Sequence, residues 1–408
     1  MTEYSSDKAD QRYDVIDALR GFALTGVCLV NLVSLSLYEF LDAPAKDALA
    51  SSRFDHVAEL AMAWSVNIKF ITIFSLLFGM GFSLQMQRAS SRGEDGSWRY
   101  IRRIFVLMAM GSVHAWFVWW GDILLTYAVV GLMLLPLRNV PDRVLLILGV
   151  VIALLPPLIS PYVRGVLPDL PAQGAMYEQS LEAFSSGHWK ETFSANMAMS
   201  EWARVSNWAL VCFVLGRFLL GYWAGRKGLL AALDQNLSLL RRIFVGALAT
   251  GLAATVLSYV QAPMRAAWPI IDIEPVKMLI RVLLRAGPLG IGIAYATGFA
   301  LLFRLPSWAR RLSVLVPLGR MALTNYVTQS LFGIALFYGV GLGVGPDFGM
   351  AGILVAWALI LSLQIWWSRA WLTHFTQGPF EWAWRWLTYG RRPKLRNGTG
   401  ALERAPAS

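Results

Sequence analysis

Apolar runs long enough to cross a bilayer recur from one end of this chain to the other, and that recurrence restricts it to one kind of fold. The runs are approximately 15–38, 66–87, 101–118, 121–137, 143–163, 206–225, 240–260, 277–303, 313–340 and 349–372. Each is long enough for a helix to cross a hydrocarbon core of about 30 Å. None shows the every-second-residue alternation of barrel strands. Hydrophobic residues make up 56% of the 408 and charged residues only 15%, where a soluble chain carries about a quarter charged residues. The expected fold is all-α: a polytopic membrane bundle of about ten transmembrane helices.

Charge placement then predicts orientation. Connection 88–103 holds Arg88, Arg92, Arg99, Arg102 and Arg103, and the connection after the sixth run holds Arg226, Lys227, Arg241 and Arg242. Arg304, Arg310 and Arg311 follow the eighth run, and Arg385, Arg391, Arg392, Lys394 and Arg396 follow the tenth. The alternate connections are poor in Lys and Arg, which puts both termini in the cytoplasm by the positive-inside rule. The same rule accounts for the net charge of +11, so no nucleic-acid partner is expected. Residues 1–14 are polar with no cleavage site behind them, so the first run is read as a permanent anchor. Residues 1–396 form a single transmembrane domain, and 397–408 read as a disordered tail. Segments 39–65 and 164–205 are expected to be external amphipathic helices, with Trp64, Trp189, Trp202 and Trp208 at the interface. Membrane-surface packing is the plain reading; a lid over an external site is the sharper one. A faint echo joins LRGFALTG (19–26) to LGRMALTN (318–325) and is read as chance.

Polar side chains inside the runs are the functional leads, because charges and amides in lipid are costly unless they face protein or a wet cavity. Arg20 and Asn31 are eleven residues apart. That is about 1100° of helix, so they share one face about 16 Å apart. His114 lies eleven residues past Arg103, at a matching depth. Arg285 lies roughly 12 Å from the outer face of the eighth run. Arg320, Asn325, Thr328 and Gln329 stack along the ninth. Each has a plainer alternative. Asn31 could be an interhelical hydrogen bond, His114 a packed core residue, Arg217 a helix–helix contact, and Asp122 a helix cap. Asp122 could also orient or polarise His114. Lys69 near a run's end reads as snorkelling, and Gly79 and Gly81 as close packing. Cys28 and Cys212, two isolated thiols, support neither a disulfide framework nor a metal site. No phosphate loop, HExxH helix or nucleophile elbow appears, so serine-based covalent catalysis has no motif behind it.

Several stretches together resemble the YeiB-like bacterial membrane family: DALRGFALTGVCLVN (17–31), KFITIFSLLFGMGF (69–82), RRIFVLMAMGSVHAWFVWWGDILLTYAVVG (102–131), PLGRMALTNYVTQS (317–330) and GPFEWAWRWLTYG (378–390). The opening stretch is also similar to the first helix of transmembrane acyltransferases, such as the heparan-α-glucosaminide N-acetyltransferases and the bacterial O-antigen acetylases. That resemblance implies a helical bundle in the bacterial inner membrane that takes an acyl group from cytoplasmic acyl-CoA. The group would pass to a sugar, lipid or other envelope acceptor. Asn31 stands where the O-antigen acetylases keep a catalytic histidine, and Asp42 where the glucosaminide acetyltransferases keep one, so His114 or His56 would substitute.

Three functions are therefore in play. In an acyltransferase, His114 is the general base, Asp122 tunes it, and Asn31 hydrogen-bonds the thioester or its oxyanion. Arg20 and Arg320 hold the CoA phosphates, with Arg285, Asn325 and Gln329 as further binding residues. Acyl-CoA is then the cosubstrate, and no metal is required. In a transporter or exporter of a small anionic or amphiphilic solute, Arg285, His114 and Asn325 line a pathway. A non-enzymatic scaffold would tolerate loss of His114 and Asn31. The lipid bilayer is the expected partner in every case, and a homo-oligomer is compatible with all three.

Overall fold

The computed structural model describes residues 3–396; the disorder expected for 397–408 concerns residues outside that range. Among the described residues every regular element is helical. α1 (Glu3–Leu35) opens the bundle, followed by the short α2 (Ala43–Ala48) and α3 (Ser52–Ser65) and then by α4 (Lys69–Ser90), α5 (Ser97–Phe117) and α6 (Leu124–Leu132). Next come α7 (Asp142–Leu154), α8 (Pro156–Arg164), α9 (Gln173–Ser185), α10 (Trp189–Ser206), α11 (Ala209–Arg226), α12 (Leu237–Ala267) and α13 (Glu274–Phe303). The chain ends with α14 (Pro306–Leu312), α15 (Val316–Arg320), α16 (Ala322–Phe337), α17 (Gly349–His374) and α18 (Pro379–Tyr389).

Six helices are long and apolar enough to cross a membrane, lying within Asp14–Leu35, Ser52–Ser90, Ala209–Arg226, Leu237–Arg265, Glu274–Phe303 and Gly349–His374. The chain is a multi-pass helical membrane protein. Of the other four expected runs, 101–118 is the unbroken 21-residue α5, and the remaining three are shorter or broken, each for a local reason. α7 and α8 bend by 53°, at Pro156 and Pro157, which lack the amide hydrogen of an unbroken helix. Run 121–137 yields only the nine residues of α6, about 14 Å of helix. Run 313–340 divides at Met321 into α15 and α16. Apolar composition reports burial, and these pieces are buried among other helices: Tyr127, Ala128 and Val130 in α6, Leu323, Asn325 and Gln329 in α16. The external segments expected at 39–65 and 164–205 are helical, as α2, α3, α9 and α10.

α1 is the central strut. Its inward residues Leu19, Leu24, Leu32 and Leu35 are fully buried, and it packs on α4, α15, α16 and α17. Glycines let α1 and α15 touch backbone to backbone. A Cβ on Gly319 would meet the Asp17 carbonyl oxygen, and one on Gly21 would meet the Leu315 carbonyl oxygen. The two echoing octapeptides therefore lie against each other. Fourteen residues further along both segments, Gly333 of α16 packs on Leu35, so α1 and α15–α16 run side by side in the same direction. Gly79 does for α4 and α11 what Gly319 does for α15, facing the Phe218 carbonyl. Gly81 was expected to pack closely and does not: nothing lies within 4 Å of its Cβ position, because it faces the cavity described below.

Candidate functional site

The site is built where α5 ends. The chain leaves α5 at Phe117 and enters α6 at Leu124, and Asp122 sits in that turn. Its Oδ2 accepts the Leu125 amide at 2.8 Å and its Oδ1 lies 2.9 Å from His114 Nδ1. Both sequence readings of Asp122, helix cap and histidine partner, hold together. With Nδ1 donating to the carboxylate, Nε2 is left to accept a hydrogen bond from Ser330 Oγ of α16, 3.1 Å away. His114, Asp122 and Ser330 are buried, at 3%, 5% and 0% exposure. The Tyr326 ring packs 5.2 Å from the imidazole, and its hydroxyl accepts the Ile123 amide at 3.3 Å.

Beside this chain of hydrogen bonds lies a cavity of about 1370 Å³, larger than the usual ligand pocket of roughly 300–1,000 Å³. Eight arginines and three carboxylates line it: Arg20, Arg88, Arg92, Arg99, Arg103, Arg204, Arg320 and Arg385, with Asp17, Asp122 and Glu381. Apolar side chains including Val27, Val30, Phe74 and Leu107 form its middle. Seven arginines gather at one end. Arg103 is close enough to Arg20 and Arg385 to feel their charge, and α18 closes this end through Trp384 Nε1, which donates to the Arg103 carbonyl. Asp122, Tyr326, Trp119, Trp120 and Arg204 lie at the far end, with Asn31 eleven residues along α1 from Arg20.

The arginine end is mostly partnered. Arg20 donates to Asp17 at 2.6 Å and reaches the Gly319 carbonyl at 3.5 Å. Arg99 pairs with Glu94 at 2.9 Å. Arg103 donates to Gln85 at 3.2 Å and stacks over Trp384. Arg320 donates to the Thr376 carbonyl at 3.3 Å. Glu381 caps α16, accepting the Leu323 and Thr324 amides and the Thr324 hydroxyl at 2.7, 3.1 and 2.6 Å. Burial pushes its carboxyl pKa up from the ordinary value, and those hydrogen bonds pull it back.

The far end has donors to spare. Asn31 Nδ2, Trp119 Nε1 and Arg204 Nε and Nη2 are buried with no acceptor, a state that costs about 1–3 kcal/mol per neutral group and more for a charged one. Burial pulls the Arg204 guanidinium below its usual pKa, while Asp122 and Tyr326 push it back.

Of the residues expected at the site, the structure brings Arg20, Asn31, Asp122 and Arg320 into the cavity wall, with His114 one layer behind Asp122. The others are placed elsewhere. Asn325 donates to the Leu318 carbonyl and to Ser368 of α17 at 3.2 and 2.9 Å, and Gln329 donates to Gln364 at 2.8 Å. Both join α16 to α17. Arg285, on α13, sits near Cys212. Arg217 is a buried helix–helix contact, donating to Thr72 at 2.8 Å. His56 is exposed and bonds Asp47 at 3.0 Å, and Asp42 caps α2 through the Ala45 amide. Lys69 does not snorkel: it is buried and folds back onto the Ala63 carbonyl, which the break between α3 and α4 leaves open. Sequence reasoning missed Arg204, Trp119, Ser330 and Glu381. Arg204 lies in a segment read as amphipathic surface. Ser330 closes the quoted stretch PLGRMALTNYVTQS but carried no motif. Among the described residues no group of three or more His, Cys, Asp or Glu side chains could hold a metal ion.

Comparison with known proteins bears out the YeiB-like resemblance, and none of the matches is to a named acyltransferase. Residues 224–391 match the family model described as a protein of unknown function, DUF418. The uncharacterized protein YxaH of Bacillus subtilis is 28% identical over 95% of this chain and 97% of its own length. An uncharacterized 39.9 kDa protein of Bacillus acidopullulyticus is 28% identical over 94% and 95%, and the uncharacterized protein YeiB of Escherichia coli is 28% identical over 93% and 96%. No solved structure matches the chain.

Proposed function

Because this chain is a YeiB-like membrane protein, its activity has to be read from its own site, and we propose that it transfers an acyl group from acyl-CoA to a sugar, lipid or envelope acceptor. The observation that carries this reading is the cavity itself. Arginines crowd one end, an apolar middle follows, and a buried Asp–His pair backs the other end. Guanidinium groups suit the phosphates of CoA, the apolar stretch suits its long arm, and the far end receives the thioester. In the bacterial inner membrane the arginine end faces the cytoplasm, both termini lie there, and the broken segments complete a ten-pass path.

Transfer needs one proton moved. The acceptor hydroxyl or amine gives its proton to the Asp122–His114 pair as its oxygen or nitrogen bonds the thioester carbon. The C–S bond then breaks, and the leaving thiolate takes a proton. Asp122 reaches the cavity, and His114 supports it from behind, with Ser330 fixing the imidazole. Asn31 Nδ2, lacking an acceptor, donates to the oxyanion as it develops. The test is acetyl-CoA titration of the purified full chain in lipid nanodiscs. Saturable binding is expected, weakened roughly 10- to 100-fold in Arg20→Ala, the loss of a charge-assisted contact. Absence of saturable binding in the wild-type chain would refute the proposal.

A transporter or exporter of a small anionic or amphiphilic solute is the second reading, favoured by the cations at both ends of one continuous cavity. Solute flux into proteoliposomes with the solute chemically unchanged would select it over acyl transfer.

A further inference from the structure

We infer that the far end of the cavity is a recognition site for an oxyanion, a carboxylate or a phosphate, carried by the molecule that enters it. Arg204, at the end of α10, supplies the charge. The two guanidinium nitrogens left without an acceptor are Nε and Nη2, the edge of the fork that takes two oxygens of one planar or tetrahedral anion side by side. Asp122, whose charge acts on Arg204, does not satisfy it. One Asp122 oxygen is held by His114 and the other by the Leu125 amide, and among the described residues no ion pair includes Arg204. A second donor, Trp119 Nε1, is 2% exposed as a residue and also lacks an acceptor, and Asn31 Nδ2 is a third. All three residues line the same cavity. Every open group among them is a donor, so the ligand atoms that complete the set are acceptors. The guanidinium makes a negatively charged acceptor the best match. The apolar wall between the two ends suits a ligand whose anionic head is joined to an apolar body. None of this depends on acyl transfer or on what occupies the arginine end.

The test uses the purified full chain in lipid nanodiscs and three probes of one length: octanoate, octyl phosphate and octanol. Octanoate or octyl phosphate is expected to bind at least roughly tenfold tighter than octanol, the scale of one charge-assisted bidentate contact, and the tighter of the two identifies the head group. Arg204→Gln should abolish that preference. Arg204→Lys, which keeps the charge without the fork, should retain part of it. Arg20→Ala should keep it, and Arg204→Gln should still bind acetyl-CoA if the chain binds it at all. Equal binding of octanol and both anions overturns the inference. So does a preference that survives Arg204→Gln, or one lost in Arg20→Ala alone, which would assign the anion to the arginine end. Should Arg204→Gln fail to fold, Trp119→Phe keeps the ring and removes one donor. A loss of about two- to tenfold for the preferred anion is then expected, and unchanged binding overturns the inference.

Discussion

The two ends of the cavity are both cationic, yet they differ in how their charges are held. At the arginine end Arg20, Arg99, Arg103 and Arg320 already have protein acceptors. At the far end Arg204, Trp119 and Asn31 have open donors. A partnered guanidinium exchanges one acceptor for another when a ligand arrives, so its net gain is modest. An open buried donor recovers its whole desolvation cost. The arginine end is therefore suited to a ligand that comes and goes, and the far end to holding a ligand in one position. What distinguishes the far end is that an unpartnered guanidinium lies there beside two further open donors, all lining one cavity.

The comparison breaks most visibly at His114. His114→Ala should lower acyl transfer by about 10²–10⁴-fold, the range for disabling the Asp122–His114 acid–base pair, while acetyl-CoA binding at the other end persists. Single-turnover transfer alongside binding separates the two, and unchanged transfer in the variant would remove the Asp–His pair from the mechanism. A smaller effect concerns the backbone contact that shapes the arginine end. Gly319→Ala should destabilise by about 1–3 kcal/mol through overpacking against Asp17 and Gly21, read as a lowered Tm. Gly81→Ala, with open space around it, should be neutral or stabilising by up to about 1 kcal/mol. Similar shifts in both would contradict the packing described.

Weaker still is the scaffold on the opposite face of α16. Gln364 bonds Gln329, the Asn325 carbonyl and Thr328. Gln364→Leu should cost about 0.6 kcal/mol per bond lost and leave ligand affinity unchanged; a changed affinity would join that network to the site. The smallest effect is in pH. With its pKa raised by burial, Glu381 stays protonated in the folded chain at pH values where a free glutamate, near about 4.3, has ionised. Its contribution to stability is thus full below that value and declines as pH rises through the shifted pKa. Infrared titration should show a protonated carboxyl band outlasting the others, absent in Glu381→Gln. No difference between the two would contradict the burial.

Much of the candidate site's geometry was legible in the sequence because helical spacing fixes depth. Eleven residues from Arg20 to Asn31 and from Arg103 to His114 place both pairs at matching heights, and proximity in the chain brought Asp122 to His114. What spacing leaves open is which way a side chain faces once its helix has neighbours. Asn325 and Gln329 have the residue types of a site, yet turn toward α17. Arg204, on a segment with no apolar run to set its depth, turns inward. The ten apolar runs were all helical, but hydropathy does not distinguish a lipid-crossing helix from a short one buried in protein, as α6 and the α15–α16 break show.

The central claim is that one cavity joins a nucleotide-binding arginine end to a reacting far end. A structure of the purified chain with acetyl-CoA at saturating concentration tests it most directly. The account predicts phosphate density against Arg20 and Arg320 and the thioester beside Asp122 and Asn31. Nucleotide density at the far end, or an empty cavity at saturation, would contradict it.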